Sequence, residues 1–272
     1  MSVVSDNPAG HNQVMKTAFN YIPGEYLALK INYCKSRLEK LPKLRVTDIV
    51  ISGKIRKCII SGHHRYFFDS PRGKELYDIF IIRENLEREL AVYEAVWHSS
   101  FAFEPPADLK PHNVIRSLTV EGNKQVVLNK EYFDSLQNDA NDNYKKYSNY
   151  YFDGIYYRSS NERDIAIYYT DMGILFKYEP KVWIAGVPKP INPDFVLYIK
   201  ELDTCKFHEH LGIKSSADYL RDTRIKYSNY TGAGLIPGTD ILFTYDTDDM
   251  PFDIRCLAAK LNSAVYSTML CK

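Results

Sequence analysis

Two carboxylates in the second half of this 272-residue sequence stand inside apolar runs, where a charge is costly to bury. Asp194 follows Pro193 and opens the run DFVLYI, and Glu209 lies 15 residues later within CKFHEHLG. The runs predict two strands that the turn KELDT joins into an antiparallel hairpin, so Asp194 can lie close to Glu209 across it. Two carboxylates that converge at the end of a sheet suit Mg²⁺, a hard cation that takes oxygen ligands.

The residues around Glu209 alternate between the two faces of its strand. Phe207 and Leu211 share the face of Glu209, whereas His208 and His210 point the other way. One metal ion cannot easily take His208, Glu209 and His210 together, so the pattern speaks against a zinc site.

The helical pattern that follows the hairpin supplies a candidate cation. Tyr219, Lys226 and Tyr230 fall at i, i+7 and i+11 and form a single stripe. If the stripe packs on the sheet, it places the Lys226 ammonium over the acid pair. Arg221 and Arg224 lie on other faces of this helix and could reach phosphate groups.

A third acid, Glu162, stands at the start of the helical pattern SSNERDIAIYYTDMG. Glu162 aligns with Ala166 and Tyr169 and can therefore face the sheet. Its alternative role is structural, because Ser159 with Glu162 three residues later forms a capping box.

The other candidates have structural alternatives as well. Glu209 can form a salt bridge with Lys206 or Arg224 instead of holding a metal, and Lys226 can be a solvated helix lysine. Tyr219 and Tyr230 are more typical of packing residues than of ligands. The basic stretch at residues 35–45, KSRLEKLPKLR, is interpreted as a solvated helix face, with DNA contact as the alternative.

The chain divides into a first region, 1–150, whose role is unknown, and a second region, 151–272, that carries these candidates. In the first region, the sequence pattern predicts helices over 24–41, 81–101 and 129–151 and a hairpin over 44–68 that turns at Gly53. The second predicts helices over 159–173, 216–230 and 253–269, and strands at ILFKYEP (174–180), KVWIAG (181–186), the hairpin and DILFTY (240–245). This order predicts an α/β or α+β layered fold around one mixed sheet flanked by helices.

Composition restricts the class of protein. The net charge of +1 does not indicate a polybasic nucleic-acid binder, although residues 1–150 carry +3 and residues 151–272 carry −2. Five scattered cysteines without a C-x-x-C pair are typical of reduced thiols. No apolar run approaches membrane-spanning length, so we expect a cytoplasmic protein without a membrane partner.

The ordered motifs SSNE, YEP, NPDF, HEHLG and YLRDTRIK resemble the PD-(D/E)XK nuclease superfamily, over about residues 155–270. They are most similar to uncharacterised bacterial members in which the lysine of the E-x-K motif has moved to a helix. Leu211 occupies the place of that lysine here, and Lys226 fits the description of its replacement.

This resemblance implies a restriction-endonuclease-like fold and Mg²⁺-dependent hydrolysis of DNA, with Mn²⁺ as a possible substitute and RNA not excluded as substrate. Asp194, Glu209 and the His210 carbonyl would be the metal ligands, Glu162 would hold a metal-bound water, and Lys226 would position water and stabilise charge. The alternative is a catalytically inactive nuclease-like module that binds nucleic acid or a protein partner.

Overall fold

The computed structural model of the chain describes residues 24–143, 149–212, 217–247 and 249–270, with the backbone alone at 217–220. The chain forms two compact units. Leu27–Pro111 form the N-terminal unit, and the described parts of 1–26 and 112–272 form the C-terminal unit. The described residues of 112–150 thus belong to the C-terminal unit. None of the helices in the described ranges is long and apolar enough to span a bilayer.

The first third of the described chain contains two helices and a three-stranded antiparallel sheet. Its elements are α1 (Gly24–Lys40), β1 (Leu44–Ile51), β2 (Lys54–Ser61), β3 (His64–Phe67) and α2 (Pro71–Ser100), and the sheet order is β1-β2-β3. Helix α2 begins where Ser70 Oγ accepts a hydrogen bond from the Gly73 N–H at 3.0 Å and Pro71 occupies the first turn. The predicted helix over 24–41 and the turn at Gly53 are confirmed, while α2 begins ten residues before its predicted start at 81.

The chain then forms small elements that flank the main sheet of the C-terminal unit. These are β4 (Ser117–Val120), a 3-10 turn (Glu121–Asn123), β5 (Lys124–Val127), α3 (Lys130–Ser135), β6 (Tyr150–Phe152) and β7 (Ile155–Tyr157). Strands β4 and β5 pair with each other, as do β6 and β7.

The main sheet has the order β11-β10-β9-β8, with β10 and β11 parallel and the other pairs antiparallel. The elements run α4 (Ser160–Asp171), β8 (Leu175–Tyr178), β9 (Phe195–Ile199), β10 (Thr204–Gly212), α5 (Ala217–Gly232), β11 (Ile241–Asp246) and α6 (Ile254–Leu270). The fold class is α+β with a mixed sheet flanked by helices, as predicted.

The helices cover opposite faces of this sheet. Tyr169 of α4 and Thr268 of α6 contact His208 and Lys206, which alternate onto one face of β10. Tyr230 of α5 packs against Phe207 on the other face. The predicted separation of His208 and His210 from Glu209 is therefore confirmed.

Two predicted elements are wrong. Among the described residues of 129–151, the expected helix is limited to α3. The backbone becomes extended at Leu136, and the Asn138 side-chain oxygen then accepts a hydrogen bond from the Tyr178 N–H at 2.7 Å. KVWIAG is not a strand; its only pairing among the described residues is an isolated bridge between Val182 and Ile191. In both cases tertiary contacts outweigh a local pattern that is weak by itself.

Candidate functional site

Three acids lie in one row across the main sheet. In the central strand β9, Phe195 pairs with Tyr178 of β8 on one side and with His208 of β10 on the other. Because both pairings are antiparallel, Asp194, one residue earlier, lies between Glu179 and Glu209. The Glu179 N–H donates to the Asp194 carbonyl at 3.0 Å, which extends the β8–β9 ladder to this row. All three acids are buried, with 1%, 2% and 0% exposure for Glu179, Asp194 and Glu209.

Helix α5 supplies two donors to Glu209. The Lys226 ammonium lies 2.7 Å from Glu209 Oε2, and the Tyr230 hydroxyl donates to Glu209 Oε1. These residues are four apart on the helix and so project from the same side. The predicted position of Lys226 over the acids is therefore the observed one, and Tyr230 contributes its polar end as well as its packing surface.

Asp194 is held by partners from two other segments. Its Oδ2 accepts the backbone N–H of His210 at 2.7 Å, and its Oδ1 accepts from the Arg158 guanidinium at 3.2 Å. The loop before it is ordered by Asn192, whose amide donates to the carbonyls of Glu179 and Pro180 at 3.2 and 3.1 Å. These contacts fix the Asp194 carboxylate at the start of β9, beside the row position of Glu209.

Arg158 joins the acids of three different segments. Besides Asp194, its guanidinium lies 3.0 Å from Glu179 Oε1 and 3.7 Å from Glu162 Oε1. Charge-assisted hydrogen bonds of this kind are stronger than neutral ones, and the planar guanidinium can serve several carboxylates at once. Arg158 is thus the cation that holds Glu162, Glu179 and Asp194 together.

Glu162 takes part in the N-terminal cap of α4 and also faces the sheet. The Ser159 hydroxyl accepts the Glu162 N–H at 3.1 Å, as in a capping box. The Glu162 side chain, however, accepts from the Arg158 N–H at 3.1 Å and from the Tyr178 hydroxyl at 2.6 Å. Burial and the neighbouring charge of Asp194 raise the pKa of Glu162, which Arg158 and Tyr178 oppose.

The electrostatics at Glu209 and Lys226 are complementary. Burial and then the charge of Asp194 raise the pKa of Glu209 to about 7, against the opposing effect of Lys226. Burial lowers the pKa of Lys226, but the carboxylates of Glu209 and Asp194 outweigh it and raise that pKa above the usual lysine value. Lys226 therefore stays protonated at neutral pH, and it acts as a positive charge rather than as a base.

A cavity of about 170 Å³ opens beside Lys226 and Glu209. A water molecule takes up about 30 Å³ in the liquid, so a phosphate group and several waters can enter. Because the Lys226 side chain retains 44% of its exposure, its ammonium is accessible to a ligand. The described residues that line the cavity include Glu209 but not Asp194; they are Ile191, Asn192, Glu209, Lys226, Asn229 and Tyr230.

The histidines of β10 belong to a separate network on the opposite face of the sheet. His208 lies between the Tyr169 hydroxyl at 2.7 Å and Thr244 Oγ1 at 2.8 Å. His210 Nδ1 contacts the same Thr244 oxygen at 2.8 Å, and its Nε2 lies 3.2 Å from the Asn161 amide. The His210 side chain is thus turned away from the acid row, and only its backbone reaches Asp194.

The structure brings some of the predicted site residues together. Asp194, Glu209, Lys226 and Tyr230 come together, and Glu162 joins them through Arg158. Arg221 and Arg224 are exposed on α5, where Arg221 lies 3.6 Å from Asp222, and the side chain of Tyr219 lies outside the described residues. The roles of these residues, and that of the His210 carbonyl, stay predictions.

Arg158 and Glu179 were not identified from the sequence. Glu179 stands within the motif YEP at the end of the predicted strand ILFKYEP, and that place was the signal that could have identified it. Arg158 precedes the capping box by one residue and carries no periodic signal. Its partners lie 4, 21 and 36 residues away, so sequence spacing alone does not reveal them.

The donor set fits the Mg²⁺ that the resemblance implies. Asp194 and Glu209 offer oxygen atoms only, which suit a hard divalent cation. Burial and then the charge of Asp194 raise the pKa of Glu209, and such a cation would offset both effects. Within the described ranges, however, no group of three or more His, Cys, Asp or Glu side chains is arranged to hold a metal.

Comparisons of the chain with family models, with curated proteins and with solved structures gave no significant match.

Proposed function

We propose that the C-terminal unit hydrolyses phosphodiester bonds in DNA with the help of Mg²⁺, for which Mn²⁺ can substitute. The observation that supports this most directly is the position of Lys226. Its ammonium lies 2.7 Å from Glu209. On this face of the sheet, Asp194 occupies the position next to Glu209 in the row of acids. Two carboxylates with a protonated lysine beside an accessible cavity are the groups that this reaction requires.

The chain's own residues would divide the work as follows. Asp194 and Glu209 would hold Mg²⁺, which when bound lowers the pKa of water and neutralises charge on the scissile phosphate. Lys226 would contact the phosphate in the cavity and stabilise the negative charge that develops on its oxygens. Tyr230 orients Glu209 by its hydrogen bond, and Arg158 fixes Asp194 from the other side.

A second candidate function is a binding module without catalysis. It is favoured by the hydrogen bonds that already engage both carboxylates, from Lys226 and Tyr230 to Glu209 and from Arg158 and His210 to Asp194. A divalent cation would have to share or displace these donors. The absence of Asp194 from the described cavity lining points in the same direction.

Cleavage of supercoiled plasmid and of single-stranded DNA in Mg²⁺ or Mn²⁺ tests the first candidate. We expect Asp194→Asn, Glu209→Gln and Lys226→Met each to reduce the cleavage rate at least about a hundredfold. Asp203→Asn is the matched control, because Asp203 lies in the β9–β10 turn and accepts from the Tyr198 hydroxyl. Wild-type protein that cuts no faster than Asp194→Asn would contradict catalysis.

Metal binding has a readout that does not depend on cleavage. Mn²⁺ at 100 times its dissociation constant should stabilise the wild-type protein by about 2.7 kcal/mol. Thermal unfolding with Mn²⁺ and with EDTA measures this difference. It should vanish in Asp194→Asn and Glu209→Gln and persist in Asp203→Asn; a shift of equal size in all four proteins would exclude this site.

A further inference from the structure

The N-terminal unit contains a strongly basic β-ribbon, formed by β1, β2 and β3 (Leu44–Phe67). Its 24 residues carry five basic side chains and one acidic side chain, Asp48, in a chain whose net charge is only +1. The neighbouring helix α2 carries four basic and six acidic side chains over 30 residues. Positive charge is therefore concentrated in the ribbon and is not a general property of this unit.

The strand register places four of these cations on one face of the ribbon. Arg45 and Arg65 both pair with Ile60 of the central strand, and Lys54 and Arg56 lie at even spacing from Ile60 along that strand. Directly opposed residues, and residues two apart, share a face. Asp48 pairs with Lys57 and so falls on the other face, which leaves the three strands without a carboxylate of their own on the face of Arg45.

These side chains are exposed, and most have no ionic partner within the described part of the chain. Arg45, Lys54 and Arg65 form no ion pair with a described residue. Arg56 lies 2.5 Å from Asp69 and over the ring of Phe67. Three cations on one face are thus available to an external anion.

The dimensions of this face match a nucleic-acid backbone. Six residues separate Ile60 from Lys54, or about 20 Å of extended strand, and Arg45 and Arg65 lie about 10 Å apart across the central strand. A B-DNA strand carries a phosphate about every 3.4 Å along the axis, so the ribbon spans about six base pairs.

The tip of the ribbon presents apolar side chains to solvent. Val50 and Ile55 pair directly with each other, on the face opposite to Arg45, and are 71% and 72% exposed. The Ser52-Gly53 turn between their strands has positive φ at both residues, 49° and 76°, as a type I′ hairpin requires. Nothing among the described residues covers this pair, although burying such side chains is favourable by about 1.5 kcal/mol or more each.

We infer that the β1–β3 ribbon is a binding surface for duplex DNA, whose phosphates contact the face of Arg45, Lys54 and Arg65. The choice of duplex DNA over another polyanion rests on the proposed function; the binding surface itself rests on charge and register alone. The ribbon would supply the affinity that the near-neutral chain as a whole does not.

Binding of a fluorescent 30-base-pair duplex by the full chain in EDTA, across a salt series, tests this inference. The variant combines Arg45→Gln, Lys54→Gln and Arg65→Gln. Its matched control combines Arg72→Gln, Lys74→Gln and Arg88→Gln, three exposed cations of α2. Three lost phosphate contacts should reduce the slope of log affinity against log salt by about 2.7 and weaken binding roughly a hundredfold at low salt, whereas the control keeps the wild-type slope.

The apolar tip has its own variant, Val50→Thr with Ile55→Thr, which keeps the β-branched side chains that favour a strand. Because this pair lies on the face opposite to Arg45, we expect the variant to keep the wild-type affinity and salt slope, which makes it a second control. Equal losses in the ribbon triple and the α2 triple, or no loss in either, would overturn the inference. The inference would also be overturned if the ribbon triple variant lost binding to RNA or to single-stranded DNA but not to the duplex.

This result is separable from the cleavage result. Ribbon-dependent binding with an inert Asp194–Glu209 pair would retain the binding surface and remove the nuclease. Conversely, cleavage that depends on Lys226 together with wild-type DNA binding by the ribbon triple variant would retain the nuclease and remove the binding surface.

Discussion

The acid row of the main sheet and the basic ribbon both place charged side chains on β-strands, yet they treat charge in opposite ways. Glu179, Asp194 and Glu209 are at most 2% exposed, and cations or N–H donors meet each of them at a defined distance. In the ribbon, Arg45, Lys54 and Arg65 are exposed and form no ion pair with a described residue.

This difference between buried and exposed charge indicates what each region can do. A buried charge needs its partner at a fixed distance, because an unpaired one costs several kcal/mol, so the acid row is suited to hold reacting groups in place. An exposed charge costs little and is screened by salt, so the ribbon is suited to attract a polyanion without fixed geometry. Three measurements test this contrast.

The largest difference is expected between two arginines. Arg158→Gln leaves Glu162, Glu179 and Asp194 without the cation that joins them and should lower the free energy of unfolding by about 3 kcal/mol. Arg56→Gln in the ribbon removes an exposed pair with Asp69 and should cost less than about 1 kcal/mol. Urea unfolding at neutral pH measures both.

A second readout identifies the cause at Arg158. The loss should shrink toward acidic pH, where the carboxylates become protonated and no longer require a cation. A loss that stays constant with pH would mean that Arg158 stabilises by packing rather than by charge, and the contrast with the ribbon would fail.

An intermediate effect is expected from the histidines. Burial, with smaller contributions from His210 and Lys260, lowers the pKa of His208 from 6.5 to about 3. Between these values the unfolded chain binds a proton that the folded chain does not, so stability falls as pH falls below 6.5. Unfolding of His208→Gln in EDTA should therefore depend less steeply on pH over this range. His63→Gln, at an exposed site in the β2–β3 turn, should keep the wild-type dependence, and a flattened curve there would contradict the assignment to His208.

The smallest effect is expected in the ribbon itself. The triple Arg45→Gln, Lys54→Gln and Arg65→Gln should change the free energy of unfolding by less than about 1 kcal/mol in total, because these side chains have no ionic partner within the described residues. Thermal unfolding of the triple and of the α2 control triple checks this. A large loss of stability would mean that the ribbon cations are structural and would weaken their assignment to DNA.

Much of the sheet could be predicted because its signals are local. Alternation along β10 placed Glu209 opposite to His208 and His210, and the turn KELDT made β9 and β10 antiparallel, which together bring Asp194 beside Glu209. Helical periodicity likewise placed Lys226 and Tyr230 on one stripe of α5, and both reach Glu209. The periods of 2 and 3.6 residues depend only on backbone geometry, so a sequence alone expresses them.

Other features depend on partners far away in the chain. The sequence predicted the hairpin of the ribbon but not the register of β3, which brings Arg65 onto the face of Arg45. It predicted a long helix where Asn138 instead turns to the Tyr178 N–H. Charge and hydrogen-bond partners are chosen by proximity after folding, and no local period encodes them.

The sequence by itself therefore determined the α+β class, the faces of the strands and the residues that could carry chemistry. Only the tertiary structure decided that Arg158 joins three acids and that Glu179 enters their row, because ion pairs between distant segments exist only once the backbone has brought those segments together.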